Sequence, residues 1–122
     1  MEIKRDFYLN EIIDRMDNGL IKIITGIRRC GKSYLLNTIF ENYLLKQGID
    51  KEHIIKLSLD ERKNKKYLDP DELDTYIRNL IIDDKKYYLL LDEIQEVKEF
   101  ESVLIGFMHI SNVEIYVTGS NS

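Results

Sequence analysis

The sequence predicts an α/β fold, with parallel strands in one sheet and helices on both faces, a three-layer sandwich. Three observations carry this expectation. Strand-like and helix-period segments alternate along the chain in the order α-β-α-β-α-β-α-β, which calls for parallel strands joined by crossovers. One strand segment, Tyr87-Tyr88-Leu89-Leu90-Leu91, is apolar at every position, as a strand covered on both faces requires. Between Leu20 and Leu45 the chain passes from an apolar strand through a glycine-bounded loop into a helix.

Taken in order, Arg5 to Asp17 predicts an amphipathic helix with Leu9, Ile12, Ile13 and Met16 on one stripe. Asn18-Gly19 is its stop, because glycine accepts the left-handed backbone there. The run Leu20-Ile21-Lys22-Ile23-Ile24-Thr25 predicts the first strand. The helix after the loop carries Tyr34, Leu35, Leu36, Ile39, Phe40, Tyr43 and Leu44 at helical spacing, runs to about Lys46 and ends at Gly48. Residues Ile54 to Leu59 read as a strand. Asp60 to Lys66 is a run of charge with no aromatic platform, read as a solvated, mobile loop rather than a nucleic-acid site. Asp69-Pro70 is a helix start, with aspartate as N-cap and proline in the first turn. That helix buries Leu73, Tyr76, Ile77, Leu80 and Ile81. Beyond the Tyr87–Leu91 strand, a helix with Phe100, Val103, Leu104, Phe107 and Met108 on one face leads to the last strand, Val113 to Thr118.

Bulk properties narrow the function classes. The 122 residues suit a single domain over 1–122, 43% of them apolar and 33% charged. No apolar run approaches the roughly 20 residues of a membrane span, and the start lacks a secretory core, so a cytoplasmic protein with no membrane partner is expected. The net charge of −4 argues against wholesale binding to a phosphate backbone. A single cysteine, Cys30, excludes an internal disulfide and a thiolate metal site. His53 and His109 show no ligand spacing and read as surface or helix-end residues.

The chemistry concentrates at three places. Gly26-Ile27-Arg28-Arg29-Cys30-Gly31-Lys32-Ser33 fits G-x-x-x-x-G-K-[ST] without a mismatch, between a strand and a helix as the pattern demands. The two glycines let successive backbone N–H groups turn inward around a phosphate, and the helix start adds its unpaired N–H groups and positive dipole end. Residues Gly26 to Tyr34 are therefore the candidate nucleotide-binding segment. Lys32 supplies a mobile charge to the outer phosphates, and the Ser33 hydroxyl is a ligand for Mg²⁺. Asp92-Glu93 closes the apolar strand, at the carboxyl end where ligands of open parallel sheets collect. Asp92 would hold Mg²⁺ and Glu93 would orient or deprotonate the attacking water. The third place is Thr118-Gly119-Ser120-Asn121, where a short polar side chain could reach the γ-phosphate or that water.

Together, Gly-Ile-Arg-Arg-Cys-Gly-Lys-Ser, Leu-Leu-Leu-Asp-Glu-Ile-Gln and Val-Thr-Gly-Ser-Asn-Ser resemble the N-terminal ATPase part of a prokaryotic AAA-type P-loop family. Longer members of that family carry an uncharacterised, nuclease-like C-terminal domain. The resemblance covers nearly the whole chain. It implies that Gly26, Gly31, Lys32 and Ser33 match Walker A, that Asp92 and Glu93 match Walker B, and that Asn121 (or Ser120) is the sensor-1 polar residue. It implies a sheet of the additional-strand class in the order 1-4-3-2, with a fifth strand beside the first that this chain lacks, as it lacks a lid and an arginine finger. Arg28 and Arg29 are not assigned as fingers. Two expectations follow: self-association through the uncovered edge at Ile21, Ile23 and Ile24, giving a homo-oligomer, and slow or undetectable turnover despite MgATP binding. Adenine rests on the resemblance alone, there being no guanine-reading Asn-Lys-x-Asp stretch. The implied function is ATP binding with Mg²⁺-dependent hydrolysis, coupled to a further C-terminal domain. The rival readings are a nucleotide-controlled binding module acting on nucleic acid and a small-molecule phosphotransferase.

Overall fold

In the computed structural model, which describes residues 9–24 and 31–119, the strands are Lys22–Ile24 (β1), Ile54–Ser58 (β2), Tyr87–Asp92 (β3) and Val113–Thr118 (β4). They pair in parallel in the order β1-β4-β3-β2. Flanked by helices, this is the P-loop NTPase-like sheet that the resemblance implies. Residues 9–14 are helical (α1). A continuous helix over 32–46 (α2) follows β1, and Pro70–Leu80 (α3) and Phe100–Met108 (α4) complete the set.

Side-chain parity explains why β3 is apolar throughout. Tyr87, Leu89 and Leu91 pack with Leu73 and Ile77 of α3 and Val103, Leu104 and Phe107 of α4. Tyr88 and Leu90 point the other way, to Ile12 of α1 and Leu35, Leu36, Phe40 and Leu44 of α2. Leu89, Leu90 and Leu91 are completely buried, each contributing about 1.5–3 kcal/mol relative to exposure. The same parity carries Asp92 and Thr118 toward the α2 face, on the side of Leu90 and Tyr116. The strand pattern thereby aims the chemistry at the helix that follows β1.

Local chemistry accounts for the element boundaries. Asp69 Oδ1 accepts from the backbone N–H of Asp71 at 2.9 Å and of Glu72 at 3.1 Å, and Pro70 opens α3 behind it. Gly48 ends α2 with φ 91°, a value that glycine adopts without steric cost. Helix α2 is α-helical at Lys32–Tyr34 and Glu41–Lys46, and its middle, Leu35–Phe40, is wound as a π-helix. That i→i+5 winding stacks Phe40 over Leu35, so that Leu35, Leu36 and Phe40 all face the sheet.

Several expectations are corrected. Residues 15–17 form a turn, so the described part of α1 ends at 14, before Asp17; the part expected before residue 9 lies outside the described residues. The charged run is not an open loop: Arg62–Leu68 winds into a 3-10 helix, anchored by buried Asn64, whose Nδ2 donates to Ser58 O at 2.7 Å. Its lysines stay exposed. Leu80 and Met108, placed on buried stripes by spacing, lie partly in solvent at the ends of short helices. On the β1 edge, Ile23 is 61% exposed, and among the described residues no strand pairs on the far side of β1.

His53 is buried rather than a surface residue. Its ring lies 4.7 Å from that of Tyr87, and its Nε2 lies 3.1 Å from Asp83 Oδ2. An ionised carboxylate can only accept, so the imidazole N–H donates. That hydrogen bond is the main cause holding the Asp83 carboxyl below its ordinary value of 3.8. A depressed folded value gives stability that is present above the unfolded value and lost as pH falls through the folded one. The stability difference between wild type and Asp83→Asn is therefore expected to shrink as pH falls below 3.8, as read by urea unfolding across acidic pH.

Candidate functional site

The site sits at the carboxyl ends of β1, β3 and β4, where α2 begins. Gly31 precedes Lys32 with φ 82° and ψ 41°. This left-handed geometry suits glycine and turns the chain into the helix. Lys32 is buried, and its Nζ donates to Gly119 O at 2.5 Å. The N–H of Gly119 in turn donates to Ile24 O at 3.3 Å. One residue beyond β4, Gly119, thus fastens both the end of β1 and the first residue of α2.

Ser33 brings the helix onto β3. Its Oγ lies 2.8 Å from Asp92 Oδ2 and 2.9 Å from Oδ1. Asp92 is 2% exposed, and Thr118, on the neighbouring strand, is fully buried. The Thr118 hydroxyl donates to Asp92 Oδ1 at 2.5 Å and accepts the Glu93 N–H at 2.8 Å. A buried carboxylate needs such donors, because an unpaired one would cost several kcal/mol. Leaving the strand, Glu93 adopts φ 57° and ψ 56°, a left-handed conformation uncommon outside glycine and often found at functional positions. Gln95 Nε2 donates to Glu93 Oε1 at 2.7 Å, and a side chain at Gly119 would meet Gln95 Oε1 at 3.4 Å.

Of the residues singled out from sequence, Lys32, Ser33, Asp92 and Glu93 are brought together with Gly31. Tyr34 closes the first turn of α2 with nearly half its surface exposed. Gly26, Ile27, Arg28, Arg29 and Cys30, and Ser120 and Asn121, lie outside the described residues. Thr118, read from sequence as part of the Thr118–Asn121 stretch that could reach the γ-phosphate, is bonded to Asp92, and parity could have shown this: it sits one step past the Leu91↔Val117 register pair, opposite Asp92. One residue, Gln95, was missed. Gln95 carries no comparable signal in a single sequence.

Residues 18–122 match the AAA domain family. The chain belongs to that family. This AAA domain is also 34% identical over 121 residues to an uncharacterised protein of Haemophilus influenzae, covering 98% of this chain and 30% of that protein. A second uncharacterised relative, from Methanocaldococcus jannaschii, is 31% identical over 119 residues, covering 93% of this chain and 25% of that protein. The AAA domain thus spans under a third of the curated relatives it matches. No solved structure matches it significantly. Membership in the family points to nucleotide binding and a possible ATPase activity. Among the described residues, no helix is long and apolar enough to cross a membrane.

Proposed function

We propose that the chain binds ATP and hydrolyses it in a Mg²⁺-dependent reaction, coupled to the rest of a longer protein. The observation that carries this reading is the convergence of Lys32 Nζ, Ser33 Oγ and the Asp92 carboxylate at the carboxyl end of a parallel sheet and the start of α2. Lys32 is the cation for the outer phosphates, exchanging the Gly119 carbonyl for a phosphate oxygen. Ser33 and Asp92 offer hard oxygen ligands within hydrogen-bond distance of each other, a donor set that fits Mg²⁺. When bound, that ion neutralises charge on the β- and γ-phosphates. Glu93 orients or deprotonates the attacking water; by the resemblance, residues 26–34 are assigned to phosphate binding and Asn121 (or Ser120) to the sensor-1 role. Turnover is expected to rise when a partner supplies an arginine finger, which is worth ~10³–10⁵ in rate in related machines.

A polar cleft of about 400 Å³ opens at the end of β2, lined by Asn37, Lys56, Ser58 and Asn64, which keeps phosphoryl transfer to a small acceptor in view. Labelled ATP incubated with the chain, Mg²⁺ and candidate acceptors separates the two. The proposal expects label in free phosphate, at a rate below ~1 s⁻¹ and abolished by chelation of Mg²⁺. Label in an acceptor, or none released by any longer form of the protein, would contradict it.

A further inference from the structure

We infer that Thr118 is a positioning residue that aligns Asp92 and Glu93 as one unit, so that the metal ligand and the water-activating acid are set by a single hydroxyl. The inference rests on the nucleotide reading proposed above, but on atoms which that reading does not use. A threonine hydroxyl has one proton and two lone pairs. Its proton is committed to Asp92 Oδ1 at 2.5 Å and a lone pair to the Glu93 N–H at 2.8 Å. Thr118 is completely buried, so water cannot replace either bond.

Two consequences follow for the acids. Ser33 Oγ lies against both oxygens of Asp92, so its proton leaves the carboxylate if the hydroxyl oxygen turns to a cation. The Thr118 bond to Oδ1 would be retained in that exchange, restraining the carboxylate while Oδ2 would be available as a ligand. At Glu93 the bond to Thr118 anchors the N–H of a residue in the left-handed region. An unanchored non-glycine residue would relax from that conformation, moving the carboxylate that Gln95 holds at 2.7 Å. Groups that orient a metal ligand from behind typically set its affinity by 10–100-fold.

The test compares wild type, Thr118→Val and Thr118→Ser in the full chain, with circular dichroism to establish folding. Mn²⁺ binding in the presence of ADP is read from the electron paramagnetic resonance of free Mn²⁺. ADP binding in EDTA and single-turnover ATP hydrolysis are measured alongside. Thr118→Val, which keeps the shape and loses the hydroxyl, is expected to weaken Mn²⁺ binding about 10-fold or more and to slow hydrolysis similarly. ADP binding in EDTA should stay within about twofold, and Thr118→Ser should retain wild-type metal affinity within about threefold. Wild-type metal affinity in Thr118→Val would overturn the inference, as would Thr118→Ser impaired as much as Thr118→Val. Should wild type bind no Mn²⁺ with ADP, the nucleotide reading itself fails and takes the inference with it. If Thr118→Val does not fold, Thr118→Ala against Thr118→Ser makes the same comparison, and equal metal affinity in those two overturns the role of the hydroxyl.

Discussion

Glu93→Gln is expected to lower ATP hydrolysis by roughly 10²–10⁴-fold, the usual contribution of a positioned general base, while MgATP affinity stays within about threefold. The substitution is chosen for what it preserves. Glutamine has the length of glutamate, and its carbonyl oxygen can still accept from Gln95 Nε2, now 2.7 Å from Glu93 Oε1. The backbone N–H remains tied to Thr118 Oγ1. Only the basic oxygen is lost, so a fall in rate reports proton transfer or water orientation rather than collapse of the site. Single-turnover phosphate release, followed alongside equilibrium binding in the longest form of the protein, reads both quantities. Unchanged turnover would remove Glu93 from the chemistry and favour a module in which nucleotide controls binding.

Glu114→Ala is expected to cost about 3–5 kcal/mol, the usual penalty for breaking a buried ion pair from one side. Lys22 Nζ and Glu114 Oε1 lie 2.6 Å apart with side chains 5% and 8% exposed. The same Glu114 oxygen accepts the Asp17 N–H at 3.1 Å and faces the Tyr116 hydroxyl at 3.4 Å. Burial, reinforced by the Glu114 charge, pushes the Tyr116 phenol far above its ordinary range, so it stays protonated as a donor. Alanine would leave the Lys22 ammonium with the Leu20 carbonyl at 2.7 Å and the face of the Tyr116 ring at 5.1 Å, with no counter-charge among its described partners. The expected drop in melting temperature is roughly 10–20 °C. The paired change Lys22→Met with Glu114→Leu should recover most of it, because apolar residues of similar volume need no desolvation. A melting temperature within about 2 °C of wild type for Glu114→Ala would show the pair to be energetically idle. The pair matters for function because β1 has three residues, held among the described strands to β4 alone, and leads directly into the candidate phosphate-binding segment.

The strands were legible because their signals are local and strong. An apolar run covered on both faces, as at Tyr87–Leu91, admits little else, and the Asp69-Pro70 helix start states its own hydrogen bonds in sequence. What escaped depends on contacts across the fold. Nothing local marks Lys22, within the Leu20–Thr25 run, as one half of a buried ion pair, because Glu114, its partner, lies 92 residues away. The lysine-rich run looked like open loop because one buried amide, Asn64, decides that it winds up. His53 gave no hint of burial, since Tyr87 and Asp83 supply its surroundings. At the candidate site, Lys32, Ser33, Asp92 and Glu93 were readable from motif spacing, and the strand order placed them together. The bonds by which Thr118 and Gln95 hold those acids were not, because no motif records which neighbour holds an acid in place.

Calorimetric titration of MgATP, MgGTP and MgADP into wild type and Lys32→Ala bears most directly on the pocket. Lys32 Nζ rests on the Gly119 carbonyl beside the Ser33–Asp92 contact, where a phosphate would compete for it. Saturable binding of the adenine nucleotides to wild type, lost or weakened at least about 100-fold in Lys32→Ala, is the expected result. Equal heats from both proteins, or none from wild type, would contradict a nucleotide site at the start of α2.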